Sequence, residues 1–333
     1  MNTFMLNDLM QFLADHDEYL ILIHEKPDGD AVGSGTALAL FLQSLGKKAA
    51  VLSPTAIPER LAFVKADGVD YLAGAEGLQQ AVYETVVTVD VASPELLPGM
   101  IGALRVPVGY VIDHHRMNTL EAEKKFVEET AAAAGEIVFS LLEFYAGVTG
   151  QNCFTPAVCK ALYAAVSSDT GCFRYGNTTS ESHTIAAKLL STGVDAETIN
   201  RLLFDTKPLT QIKVEALGYE KLETFYGGRL ALAAVTLADL AALNASEEDT
   251  ETLSQCARTV AGVQIGVLMR EKKTDDGVCC KFSVRANADT DVSALCAVFG
   301  GGGHKKAAGC TIHAPFSEAK ARFVKEAEKY LID

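Results

Sequence analysis

Basic residues are scarce in this chain: 29 Lys and Arg stand against 43 Asp and Glu, for a formal charge of −14. A protein this acidic does not coat duplex DNA by general counterion release. It can bind phosphates only where the sign of its field is locally reversed, and metal ions are the simplest device for that. A basic cluster is also missing from residues 1–13, which carry Asp8 and no Lys or Arg, so this segment does not read as a secretion signal. Long apolar runs are lacking too. The best candidate, 131–148, is broken by Glu136 and Glu143, which argues against a membrane span. None of the eight cysteines forms a Cys-x-x-Cys pair, and Cys279 and Cys280 are adjacent, a poor start for a disulfide framework. They read as reduced thiols acting as small hydrophobes, which implies a cytoplasmic protein. The 10 Tyr and 15 Phe are not interleaved with basic residues, so no extended stacking platform for single strands is legible.

What the chain does have is length and alternation. Its 333 residues suggest two domains, at about 100–200 residues each. Short apolar or β-branched runs at 19–24, 48–52, 70–73, 85–89 and 106–112 alternate with helical stretches at 31–45, 58–64 and 94–104. That pattern predicts a parallel sheet covered on both faces. Helices are then expected at 131–145, 156–168 and 180–190, with a linker at 193–213 and a helix over 209–225. Strands at 229–235, 262–270 and 278–285, with helices at 250–259 and 291–299, make a smaller α/β domain. The expected division is 1–192, the linker, and 214–333.

The acidic residues stand at the ends of the expected strands. The first strand leaves through His24, Asp28 and Asp30; Asp90 closes another; Asp113, His114 and His115 close a third. Asp169 follows a helix and precedes Thr170 and Gly171. Sites in open parallel sheets form outside the carboxyl ends of strands. A single Asp there commonly just caps the next helix. Several together, two ends carrying imidazoles, argue for a shared site. Four carboxylates crowded at one edge raise one another's pKa unless cations neutralise them. Mixed imidazole and carboxylate donors favour Mn²⁺, Fe²⁺ or Zn²⁺ over Ca²⁺. There are ligands enough for two ions, provided one carboxylate bridges them.

In this order and spacing, His24-x-x-x-Asp28-x-Asp30, Asp90, Asp113-His114-His115 and Ser168-Asp169-Thr170-Gly171 resemble the motifs of the DHH phosphoesterase family. The tract Gly301-Gly302-Gly303-His304-Lys305-Lys306-Ala307-Ala308-Gly309 resembles the signature of the DHH-associated domain. The resemblance spans essentially the whole chain. It implies that His24, Asp28 and Asp90 hold one metal, and that Asp30, Asp90, His114 and Asp169 hold the other, with Asp90 as the bridge. Two divalent ions are implied, Mn²⁺ first and Mg²⁺ as the alternative. His115 matches the phosphate-contacting histidine, and Asp113 matches a residue that orients imidazoles. One departure is visible: 133–136 reads Ala-Ala-Gly-Glu, where the family often carries hydroxyls.

The second domain is expected to supply the substrate side. Gly301, Gly302 and Gly303 read as a loop whose amides can approach an anion, with His304 and Lys305 adding donors. Arg285 matches the family's substrate-binding arginine, and Arg174 is a weaker candidate. His16, His183 and His313 read as surface or satisfied positions. The expected enzyme is a hydrolase of phosphoester bonds with its active site in the cleft between the domains. Among family types, the resemblance favours the compact oligoribonuclease that also dephosphorylates 3′-phosphoadenosine 5′-phosphate. A cyclic-dinucleotide or linear-dinucleotide phosphodiesterase comes next, then an inorganic pyrophosphatase and a nucleotide-binding regulator without turnover. Short RNA or nucleotides are the expected partners, without duplex DNA or a membrane; a homodimer is left open.

Overall fold

A computed structural model describes residues 1–250, 253–274 and 277–332. The chain divides into two compact units, Met1–Thr206 and Lys207–Asp333. The division point lies inside the stretch expected as a linker, most of which is helical.

The first unit contains α1 (Thr3–Asp15), β1 (Tyr19–Leu22), α2 (Gly29–Ser44), β2 (Ala49–Ser53), β3 (Asp70–Ala73), α3 (Gly74–Gln80), β4 (Thr85–Val89), β5 (Val108–Asp113) and β6 (Lys124–Val127). It continues through α4 (Ala134–Thr149), α5 (Pro156–Asp169), α6 (Ser180–Leu190) and α7 (Ala196–Asn200). All strand pairings are parallel, in the order β3-β2-β1-β4-β5-β6. The expected α/β class with a parallel sheet is what forms, because the fully apolar β1, β4 and β5 must be buried on both faces. The chain builds outward from β1 to β3, then returns to β4 on the other side of β1. That makes β1 and β4 neighbours at a topological switch point, where such sheets open a crevice at their carboxyl ends. The helix expected at 94–104 is instead two single 3₁₀ turns, Pro94–Leu96 and Ile101–Ala103. Strand β6, with the polar sequence KKFV, carries no apolar run from which to predict it.

Helices α2, α4 and α5 pack together against one face. Helix α2 is buried along nearly its whole length, so it shows no amphipathic stripe. Its approach to α5 depends on Gly33: a Cβ there would lie 2.4 Å from the Ala161 carbonyl and 2.9 Å from Ala165 Cβ.

The second unit contains α8 (Leu209–Glu220), β7 (Glu223–Phe225), β8 (Leu230–Val235), α9 (Leu237–Ala242), α10 (Leu253–Cys256), β9 (Ile265–Thr274), β10 (Gly277–Ala286), α11 (Val292–Ala297), β11 (Gly302–His304), β12 (Ala307–Ile312) and α12 (Phe316–Ala327). Its sheet runs β11-β12-β10-β9-β8-β7 and is antiparallel except between β8 and β9. One face packs on α11 and α12, with Phe282 and Phe323 stacked at 4.4 Å. The expected glycine loop is only partly a loop. Gly302–His304 forms the edge strand, because Lys305 and Lys306 supply a tight return onto Ala307–Gly309. No helix among the described residues is long and apolar enough to cross a membrane.

Gly33→Ala is expected to destabilise the protein by about 1–3 kcal/mol, the usual range for overpacking, read as a lower Tm by calorimetry on the full chain. An unchanged Tm would show that α2 and α5 have room to separate.

Candidate metal centre

The crevice at β1 and β4 is filled by side chains from five segments. Beyond β1 the chain passes His24 and reaches Asp28, the N-cap of α2, whose Oδ1 accepts hydrogen bonds from the Asp30 and Ala31 amides at 3.0 Å. Capping is therefore real, and it also fixes this carboxylate 3.8 Å from His24 Nε2. Asp90 follows β4 directly and is buried. Its φ of +61° is a left-handed conformation that Asp tolerates at some cost. That turn aims one oxygen each way, Oδ2 at 3.5 Å from His24 Nε2 and Oδ1 at 3.5 Å from His114 Nε2. His114 Nε2 also lies 3.3 Å from Asp169 and 3.8 Å from Asp30.

Asp30 is fully buried, and its carboxylate is held by the start of α4. The Ala134 and Gly135 amides donate to it at 2.6 and 2.9 Å, and Ser34 Oγ donates at 2.7 Å. These amides are among the donors a helix N-terminus leaves without internal partners. Residues 133–136, which lack hydroxyls, thus contribute through backbone. Gly135 makes the approach possible, since a Cβ there would lie 2.6 Å from Ala165 Cβ.

Both histidines present the same nitrogen. Nδ1 of His24 sits 2.8 Å from the Glu25 carbonyl, and Nδ1 of His114 sits 3.3 Å from the Ala131 carbonyl. A carbonyl only accepts, so Nδ1 carries the hydrogen and Nε2 faces the carboxylates. Charges are strongly perturbed as a result. Burial opposes protonation of His24, yet Asp28 and Asp90 carry its pKa up to about 11. Burial likewise opposes protonation of His114, and Asp169 and Asp90 carry it up to about 12. Burial, with the charges of Asp90 and Asp169, holds the Asp30 carboxyl far above its ordinary range. Asp169 is pushed up to about 6 by burial, against the pull of His114.

These are signs of negative charge short of positive charge. Asp90 Oδ1 and His114 Nε2 are buried and make no hydrogen bond, and the contacts between the groups, at 3.3–3.8 Å, are looser than good hydrogen bonds. Two triads offer one donor atom each within 4.8 Å of one another: His24, Asp28 and Asp90, then Asp30, His114 and Asp169. A third, Asp90 with His114 and His115, joins them through Asp90. Nitrogen and carboxylate donors without thiolate fit a pair of divalent transition-metal cations or Mg²⁺.

Beside the cluster, buried Asp113 accepts from His115 Nδ1 at 2.8 Å and from Asn118 Nδ2 at 2.7 Å. The Asp113 hydrogen bond raises the His115 pKa, while half of the His115 side chain stays exposed. Asn118 also donates to the Val91 carbonyl at 2.9 Å, tying this pair to the turn that carries Asp90. Sequence reasoning missed Asn118; its only signal is its place five residues after Asp113.

In the second unit Arg285 stands on β10 opposite Ala307 of β12, which stands opposite His304 of β11. Directly opposed residues share a face, so Arg285 and His304 lie in one row about 9.5 Å apart with only a methyl between them. Lys305 pairs with Asp289 at 2.7 Å. Gly301 and Gly303 answer to packing, since their Cβ atoms would meet the Gly309 and Ala307 carbonyls at 2.2 and 2.6 Å; Gly302 has open space. Arg174 is exposed, its Nε donating to the Gly171 carbonyl at 2.7 Å.

Known proteins are similar to this chain. Residues 18–166 match the DHH family, N-terminal domain, and residues 235–333 match the DHHA1 domain. The bifunctional oligoribonuclease and PAP phosphatase of Thermus thermophilus is 32% identical over 296 residues, 88% of this chain and 83% of that protein. The chain belongs to the DHH family. A probable bifunctional oligoribonuclease and PAP phosphatase of Streptococcus mutans is 25% identical over 88% of this chain and 89% of its own length. An exopolyphosphatase-related protein from Bacteroides fragilis, 23% identical, superposes with a TM-score of 0.85 over 98% of this chain and 96% of its own. That last likeness establishes the shared fold of the DHH chain.

Titrating the full chain with Mn²⁺ in a calorimeter is expected to show two ions bound. Asp90→Ala should weaken both, while Asp28→Ala weakens only one. Saturation at 100 times Kd should add about 2.7 kcal/mol of stability for each site, read as a rise in Tm. An Asp90→Ala protein binding two ions normally would remove Asp90 from the bridge.

Proposed function

We propose that this DHH-family hydrolase of phosphoester bonds cleaves short oligoribonucleotides and removes the 3′-phosphate of 3′-phosphoadenosine 5′-phosphate in the cytoplasm. The observation that carries this reading is Asp90, which completes a triad with His24 and Asp28 through one oxygen and turns the other toward His114 of the triad with Asp30 and Asp169. His24, Asp28 and Asp90 would hold one divalent cation, and Asp30, Asp90, His114 and Asp169 the other. When bound, such a pair supplies an activated water and charge neutralisation for the phosphoryl oxygens.

The chain's own groups do the rest. Asp113 accepts the Nδ1 hydrogen of His115, so Nε2 is turned away from that bond, and in the protonated imidazole that Asp113 favours it can donate to a phosphate oxygen. The charge that Asp113 favours on this imidazole suits a dianionic or diester ligand. Asn118 fills the second oxygen of Asp113 and prevents the carboxylate from rotating away. Arg285 and His304, sharing one row, would bind the remainder of the substrate with the exposed Gly302 and Lys305 beside them. The names of the relatives in Thermus and Streptococcus support the substrate class.

A turnover panel with Mn²⁺ tests the reading, comparing RNAs of two, three, five, twelve and twenty-four nucleotides, 3′-phosphoadenosine 5′-phosphate, cyclic dinucleotides and pyrophosphate. The two- to five-mers and 3′-phosphoadenosine 5′-phosphate should give the highest kcat/KM. Preference for cyclic dinucleotides or pyrophosphate would defeat it. Arg285→Ala should raise KM about 10–100-fold, the equivalent of one lost charge-assisted contact, with metal content unchanged.

A further inference from the structure

A short 3₁₀ turn, Ala257–Thr259, lies across β8 and β9 of the second unit, with Ala257 packed against Ala231 and Val263. Arg258 is the residue of this turn that meets β9 at Gly266. A Cβ on Gly266 would lie 2.9 Å from the Arg258 amide nitrogen and 3.0 Å from its Cγ. Gly266 stands directly opposite Arg285 of β10, and directly opposed residues share a face. The Arg258 side chain therefore begins where the side chain of residue 266 would otherwise stand, in line with Arg285, Ala307 and His304. The bare glycine is what admits it.

Asn287 fixes this arginine in place. Its Oδ1 accepts from Arg258 Nε at 3.1 Å, and its Nδ2 donates to the Arg258 and Val263 carbonyls at 2.9 and 3.1 Å. The other side-chain contact of Arg258 runs from Nη1 to Gln255 Oε1 at 3.4 Å, and Arg285 donates from Nη1 to the Val284 carbonyl at 3.1 Å. All of these partners are neutral. Among the described residues no carboxylate pairs with either guanidinium. Burial, and then the charge of Arg258, draw the Arg285 guanidinium below its ordinary value. The acids of this side are engaged elsewhere: Asp289 by Lys305 and Lys306, Asp291 as the N-cap of α11, and Glu247 by Arg270 and Lys272. Arg270 lies four residues along β9 from Gly266, about 13 Å away.

Two adjacent guanidiniums without a counter-charge, in a chain of charge −14, form a place for an anion. The amount of charge decides which anion fits best. A phosphodiester brings one negative charge, whereas a terminal phosphomonoester brings about −1.5 to −2 at neutral pH and three acceptor oxygens. Planar guanidinium forks suit those oxygens in pairs.

We infer that Arg258 joins Arg285 in clamping a terminal phosphomonoester, and so makes the enzyme prefer short substrates with a 5′-phosphate over those with a 5′-hydroxyl. This rests on the proposed nuclease and phosphatase reading, in which the 3′-phosphate is hydrolysed and the 5′-phosphate is the group left to be held. The sequence hides it, because Arg258 joins the row of Arg285 only across Gly266.

The test compares the full chain with Arg258→Gln, and with Arg258→Lys, which keeps the charge and loses the fork; Tm checks folding. KM and kcat are measured with Mn²⁺ for one dinucleotide made with a 5′-phosphate and with a 5′-hydroxyl. Separately, without added metal, adenosine 5′-monophosphate and adenosine are titrated in a calorimeter. The wild-type chain should favour the 5′-phosphorylated dinucleotide about 10-fold or more in kcat/KM, the equivalent of one charge-assisted contact. Arg258→Gln should erase most of that preference by raising KM for the phosphorylated form about 10-fold, moving the hydroxyl form far less. It should weaken adenosine 5′-monophosphate by a similar factor and leave adenosine as it was, with Arg258→Lys in between. Equal KM changes for the two dinucleotides, or none for either, would overturn the clamp, while turnover keeps the nuclease reading intact. If the wild-type chain hydrolyses neither dinucleotide yet holds adenosine 5′-monophosphate through Arg258, the clamp stands and the nuclease reading falls. Equal affinity of the wild-type and Arg258→Gln chains for adenosine 5′-monophosphate would also overturn the clamp.

Discussion

Four carboxylates pointed into one crevice is the condition around which the first unit is built. Asp28, Asp30, Asp90 and Asp169 cannot all stay ionised at such separations without positive charge among them. In the chain alone that charge comes from His24 and His114, which is why both imidazoles are held far on the protonated side. The crowding is tolerable because each acid is anchored by something else: an N-cap for Asp28, the amides of α4 for Asp30, a left-handed turn for Asp90 and a helix end for Asp169. Helix packing is therefore part of the electrostatics. Were α4 to sit further from α2, Asp30 would lose its amide donors while keeping its burial.

How much of this could be read in advance follows from where each residue stands in its local motif. The six expected ligands meet in space because each lies within two residues of the end of a strand or helix, and a parallel sheet gathers such ends along one edge. Asp113 and His115 were legible for the same reason. Asn118 was not, since a polar residue in an irregular segment looks alike whether it clamps a carboxylate or faces water. Strand β6 and the two 3₁₀ turns were missed or misjudged because polar strands and isolated turns carry no periodicity.

The second unit was harder, and the reason is topological. In a mostly antiparallel sheet the rows that matter run across strands, and register is invisible in a linear reading. The glycines show this best. Four in succession suggested amides opened toward a ligand, yet Gly301 and Gly303 are needed chiefly because β12 lies against them. The same tract that looked like a loop is an edge strand, and its ordered pairing is what lines His304 up with Arg285.

The register that sets Ser283, Gly309 and Gly302 in one row across β10, β12 and β11 also has a meaning for information. Reading a base requires side chains that reach its edges with a fixed pattern of donors and acceptors. Two glycines and a serine carry almost no side chain, and so have no such reach. That row therefore offers nothing with which to tell one base from another.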